Sequence, residues 1–133
     1  MSEPPEGFQP HYRKSPLTDP WEPLYSRRTG DALQIGLHIA AAHTNSRGFA
    51  HGGLVSALAD NAMGLSCGLA LDGGGLLTVN LAIDFLSLAK IGQWLQVEPT
   101  VVKRGKSLCF ASALVTADGK PCARASATFQ VVS

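Results

Sequence analysis

From Leu54 to Leu71 the chain carries a single charged side chain, Asp60, among leucines, Met63 and a filling of alanine, glycine and serine. Such a run reads as a helix that is apolar on nearly every side, and a helix of that kind is stable only when something else wraps it. Ala50, His51, Gly52 and Gly53 precede it, where Ser, Thr, Asp or Asn would ordinarily satisfy the first free N–H groups. The run therefore predicts a buried helix with naked amide donors at its start, a place suited to an anion or a polarised carbonyl oxygen. It also predicts a carboxylate taken out of water, which must be paired, protonated or used.

At 133 residues the chain is long enough for one domain with a real core. Its formal net charge of +1 offers no electrostatic footprint for nucleic acid or an anionic membrane. The apolar run approaches bilayer-spanning length. Asp60, Asn61, two internal glycines and the lack of a flanking basic belt argue for a soluble core helix instead. Cys67, Cys109 and Cys122 are scattered and odd in number, which predicts small buried apolar residues rather than a disulfide framework or a zinc site. With no basic-then-apolar leader at the N-terminus, a cytoplasmic location is the expectation. No metal centre is expected, because the histidines lack ligand spacing and flanking carboxylates.

Residues 1–23 hold six prolines and predict an irregular arm lying over the body, with Phe8 and Trp21 as anchors. The main domain is expected over 24–133. A short strand from Leu24 to Arg28 and a second from Ala32 to Ala40 precede the helix, and Asp72–Gly75 reads as its stop. Beyond it Val79, Leu81, Ile83 and Phe85 read as one strand face, with Thr78, Asn80 and Asp84 on the other. Three further strands follow over Trp94–Arg104, Leu108–Thr116 and Pro121–Val132. Asp118-Gly119 supplies a hairpin signal, and Pro99 suggests an edge or a bulge. Cys109, Ala111 and Ala113, with Ala123, Ala125 and Ala127, give the last two strands a small-residue face on which a helix can lie close. The expectation is an α+β domain: one buried helix covered by an antiparallel sheet curled around it.

The order of elements, and the stretch from Asn45 through His51-Gly52-Gly53 to Asp60, resemble the hotdog-fold acyl-CoA thioesterases, in particular the phenylacetyl-CoA thioesterase-like branch. Lys90-Ile-Gly92 and Arg104-Gly-Lys106-Ser fit the same pattern, and the likeness runs from about Pro20 to the end. It implies hydrolysis of an acyl-CoA thioester to an acid and free CoA, without a metal or cofactor. Asn45, His51 and the Gly52 backbone would lie around the thioester carbonyl, and Asp60 would be the base or nucleophile. Thr78 would help hold the attacking water. Gly53, Lys90, Arg104 and Lys106 become candidate substrate-binding residues, the three cations for the phosphates of CoA. A hotdog hydratase or dehydratase, and a non-catalytic acyl-CoA binder, are the competing readings.

Elementary chemistry points the same way. Thioester hydrolysis builds negative charge on the carbonyl oxygen, and aimed amide donors stabilise it. Gly52 leaves room for substrate to approach, and a carboxylate with weakened solvation is a stronger base or nucleophile. Gly52 and Asp60, eight residues apart, are separated by about 12 Å along a helix, too far to share one carbonyl carbon. If both act, the acid must come from a second copy, so a two-fold homodimer with two shared sites is expected. The resemblance implies the same arrangement, with a dimer of dimers as a further step.

Overall fold

The computed structural model describes residues 3–71 and 74–132. A single α-helix, α1 (Gly52–Gly68), is accompanied by seven strands: β1 (Gln9–Pro10), β2 (Tyr25–Thr29), β3 (Ala32–His38), β4 (Gly75–Phe85), β5 (Trp94–Arg104), β6 (Leu108–Ala117) and β7 (Lys120–Val132). They form one sheet in the order β1-β2-β3-β5-β6-β7-β4, and every neighbouring pair is antiparallel. α1 packs against β3, β4, β5, β6 and β7 at once, so the sheet curls around it. This is the hotdog arrangement.

The helix is buried for the reason its composition predicts. Leu58, Ala59, Ala62 and Met63 are essentially inaccessible, and they meet Leu37, Leu95, Val97 and Val115 of the sheet. Truncating Leu58 or Met63 to alanine would cost about 2–5 kcal/mol. The alanines of β6 and β7 face inward as expected, and Gly64 lets the Phe129 ring approach to where a Cβ would stand 3.2 Å away. Ser66, fully buried, donates to the Ala62 carbonyl and accepts the Leu33 N–H at 2.8 Å, which ties the helix to β3.

Four sequence expectations are corrected. The helix begins at Gly52 and ends at Gly68 rather than spanning Leu54–Leu71. The expected glycine stop falls partly on residues 72–73, outside the described residues, and Arg104 instead holds the last carbonyls, as detailed below. Cys67 and Cys109 are not isolated: they form a disulfide that joins the last helical turn to β6, and Cys122 alone is free and buried. The arm is more ordered than its prolines suggest. Gln9–Pro10 pairs with β2, Phe8 packs edge-on against Trp94 under the Arg27 guanidinium, and His43 Nε2–H donates to the Trp21 carbonyl at 2.8 Å.

The fourth correction concerns β4. Its register against β7 shifts between Thr78 and Asn80, so Val79 forms a bulge. Strict alternation put Thr78 opposite Leu81 and Ile83. The bulge inserts one residue and turns Thr78 to the helix-facing side with them, an effect bulges commonly have beside functional sites. Pro99 sits in β5 opposite Ala113 of β6 and beyond the last residue paired with β3, where that side of the strand is an open edge.

Candidate active site

Asp60 lies half-buried in the middle of α1, and Thr78 Oγ1 donates to its Oδ1 at 2.7 Å. Asp60 Oδ2 has no partner among the described residues. The pair forms part of the wall of a cavity of about 480 Å³. Its floor is the helical ridge Asp60, Gly64 and Gly68, whose missing side chains open the space. One wall is the start of β4, Gly75, Leu76 and Thr78; the other is Tyr12, Arg13 and Ser15 of the arm. β1 and β4 are the two outer strands of the sheet. The cavity is thus the slit left where a curled sheet fails to close on itself.

The helix start is built differently from the expectation of naked donors in a buried place. His51 is the N-cap, and its Nδ1 accepts the Gly53 N–H at 2.8 Å. His51 and Gly53 are exposed and Gly52 half-buried, so the start opens to the surface of the chain. The accepting Nδ1 carries no proton, which leaves Nε2 as the ring's donor nitrogen. Among the described residues the N–H groups of Gly52 and Leu54 have no acceptor; Leu54 is buried, so the Gly52 amide and the His51 imidazole N–H are the accessible donors. The Phe85 ring, itself largely exposed, lies over Gly52, 3.1 Å from where a Cβ would stand. The sequence marks Phe85 only as part of a strand face; its place over Gly52 comes from the strand bringing its far end back to the helix start.

Asn45 organises the loop before the helix. Its Oδ1 accepts the Arg47 and Phe49 N–H groups, which leaves the amide NH2 free to donate. Phe49 bridges to Lys90 and Ala50 N–H donates to the Ala89 carbonyl, so Lys90 stands near this end of the helix. His43 accepts the Ala40 N–H on Nδ1 and anchors the arm through Nε2. A second cavity of about 430 Å³ lies beside His51 and Gly53, walled by His43, Leu54 and the arm residues Leu17 and Trp21.

The expected site residues therefore fall into separate groups. Asn45, His51, Gly52, Gly53 and Lys90 gather at the helix start. Asp60 and Thr78 meet in the slit and share no cavity with His51 in one chain. Arg104 belongs to neither: it donates to the Ser66 carbonyl at 2.7 Å and to Cys67, and reaches Asp31, capping the helix C-terminus. Its guanidinium is engaged there, at the end of the helix opposite His51 and Gly52. Lys106 is exposed in the β5–β6 turn, two residues beyond Arg104 and away from the helix start. Leu58 and Met63 are core residues and line neither cavity. Tyr12, Arg13 and Ser15 carried no sequence signal beyond lying in an arm expected to cover the body.

No helix among the described residues is long and apolar enough to cross a membrane. The family model of the thioesterase superfamily matches residues 47–123. A Pseudomonas aeruginosa protein provisionally named an esterase is 39% identical over 96% of both chains. Mouse acyl-coenzyme A thioesterase 13 is 32% identical over 65% of this chain and 61% of its own length. A phenylacetic acid degradation-related protein of Ralstonia eutropha, whose solved structure is provisionally assigned as a thioesterase, superimposes with a TM-score of 0.78. It is 25% identical, over 89% of this chain and 92% of that one.

Proposed function

The chain belongs to the thioesterase superfamily, and on that premise we propose that it hydrolyses acyl-CoA thioesters to a carboxylic acid and free CoA at sites shared between two copies. The observation that carries this reading is the Thr78–Asp60 hydrogen bond, which holds a carboxyl group in a slit remote from the donors at its own helix start. Each chain holds two half-sites, one acidic and one donating.

Geometry supports their union across a dimer. β4 is an outer strand paired only with β7, eleven residues long, with Leu77 and Val79 exposed. Such an edge favours pairing with another strand. β4 also carries both landmarks: Thr78 touches Asp60 and Phe85 lies over Gly52. Antiparallel pairing of β4 with its own copy, centred near Leu81, sets Phe85 opposite the partner's Thr78. The donors of one chain then face the carboxylate of the other, twice, as a two-fold axis requires.

In that assembly the thioester oxygen takes hydrogen bonds from the Gly52 N–H, with His51 Nε2–H and the Asn45 amide beside it. Removing one such donor costs roughly 3–4 kcal/mol of transition-state stabilisation. Asp60 Oδ2 either accepts a proton from water or attacks the carbonyl carbon itself; both routes need the ionised form. In the water route, Thr78 gives its hydrogen to Asp60 and uses a lone pair to accept one from the water. Negative charge moves to the carbonyl oxygen, the tetrahedral intermediate collapses, and CoA thiolate leaves and takes a proton. Lys90, near the helix start, is placed to meet the anionic part of CoA. A hydratase needs a His–carboxylate pair, whereas the described contacts of His51 spend its Nδ1 on the helix cap. The test is Asp60→Asn against a panel of aryl- and alkyl-CoA thioesters: turnover should fall by at least about 100-fold with the fold intact. Retention of most of the turnover overturns the assignment.

A further inference from the structure

The slit has one wall that the hydrolytic chemistry does not use. Tyr12, Arg13 and Ser15 come from the arm directly after β1, and they stand across the Gly64–Gly68 ridge from β4. The arm is held there firmly: β1 pairs with β2, the His11 N–H donates to the Leu24 carbonyl, and Lys14 is paired with Glu22 at 3.0 Å. Arg13 differs from its neighbours. Arg27, Arg28 and Lys14 each spend their charge on a partner, whereas Arg13 makes no hydrogen bond or ion pair among the described residues and lines the cavity.

We infer that Arg13 is a specificity-determining residue that selects acyl groups bearing a carboxylate at their distal end. The inference rests on the reading of Asp60 as the residue that acts on the thioester, because that places the carbonyl at one point of the slit and the acyl group along it. From Asp60 the floor continues through Gly64 to Gly68, about 12 Å of helix, beside Leu65, Leu76 and Phe129. A methylene chain suits those three apolar side chains. The unpaired guanidinium on the arm is then the one described cation on the slit's lining, and a planar carboxylate is its natural complement. Substrates of this class are dicarboxylic acyl-CoA thioesters, in which one acid is esterified and the other is free.

The test compares adipoyl-CoA with hexanoyl-CoA, which differ only in the terminal carboxylate, on the wild-type chain and on Arg13→Gln and Arg13→Lys. In Arg13→Gln the adipoyl-to-hexanoyl ratio of kcat/KM should fall about 10- to 100-fold, mainly through KM, with hexanoyl-CoA turnover within about two-fold of wild type. Arg13→Lys should keep part of the preference. A ratio that does not move, or equal losses on both substrates, overturns the inference; the second result would assign Arg13 to CoA or to the fold. A wild-type chain that hydrolyses neither substrate, nor any other acyl-CoA, defeats the underlying reading, whereas activity with an Arg13-independent ratio defeats this inference alone.

Discussion

Replacing Thr78 by valine isolates the contact on which the acidic half-site rests. Valine keeps the branched shape and favours a strand, and Thr78 is exposed in the isolated chain, so the substitution should leave the fold intact. It removes the hydroxyl that donates to Asp60 Oδ1 at 2.7 Å. A hydrogen bond to a charged group contributes about 1.5–3 kcal/mol. If the bond holds the carboxylate in its reactive pose, losing it lowers kcat by roughly 10- to 150-fold. Release of CoA followed with a thiol-reactive dye measures this directly, because the one free cysteine, Cys122, is buried. Burial also pushes its thiol pKa up, which keeps it from reacting. Thr78→Ser restores the donor and should recover most of the rate. A Thr78→Val chain with unchanged kcat, or a Thr78→Ser chain as impaired as Thr78→Val, refutes the role given to the hydroxyl.

Mixing Gly52→Val and Asp60→Asn subunits regenerates one intact site per heterodimer, so verified heterodimers should recover up to about half of wild-type turnover; no recovery refutes the shared site. The valine is blocking because a Cβ at Gly52 already meets the Phe85 ring at 3.1 Å. The Cys67–Cys109 disulfide closes a loop of sequence separation 42, which stabilises the folded state by about 4 kcal/mol in the chain-entropy account. Unfolding the oxidised chain without reductant should expose one thiol, and three thiols would show the bond to be absent. His11 is buried, and burial holds its pKa below the usual 6.5 against the opposing pull of Glu22. The unfolded state therefore takes up the proton first, so the contribution of His11 is complete above 6.5 and is lost as pH falls through that value toward the folded one. The melting temperature should fall on acidification more steeply in wild type than in His11→Gln; identical slopes would show that His11 does not titrate on unfolding.

Much of the architecture was legible because it rests on patterns that leave no alternative. A nearly uncharged helix must be wrapped, and four alternating strands with small-residue faces are what can wrap it. The separation of Gly52 from Asp60 likewise follows from helical rise alone. Illegible features came from contacts between distant residues. Nothing local marks Val79 as a bulge, since its neighbours alternate as well as any strand does, yet that one inserted residue decides which way Thr78 points. The pairing of Cys67 with Cys109 depends on where β6 crosses the last helical turn. Arg104 looked like a free cation in a turn and proved to hold the helix C-terminus. The His51 cap was hidden because histidine is not a habitual capping residue, although its ring nitrogen accepts an amide as a carboxylate would.

The stretch of α1 between Gly52 and Asp60 acts as a ruler. Removing one residue from it would shorten the rod by about 1.5 Å and swing every side chain beyond the cut by about 100°. Asp60 would then leave Thr78 and point into the core, even though no atom of the chemistry had been altered. Relatives that work by the same two half-sites should therefore vary freely in the arm and turns while keeping this span at a constant count, one turn of drift being enough to silence both sites of a pair.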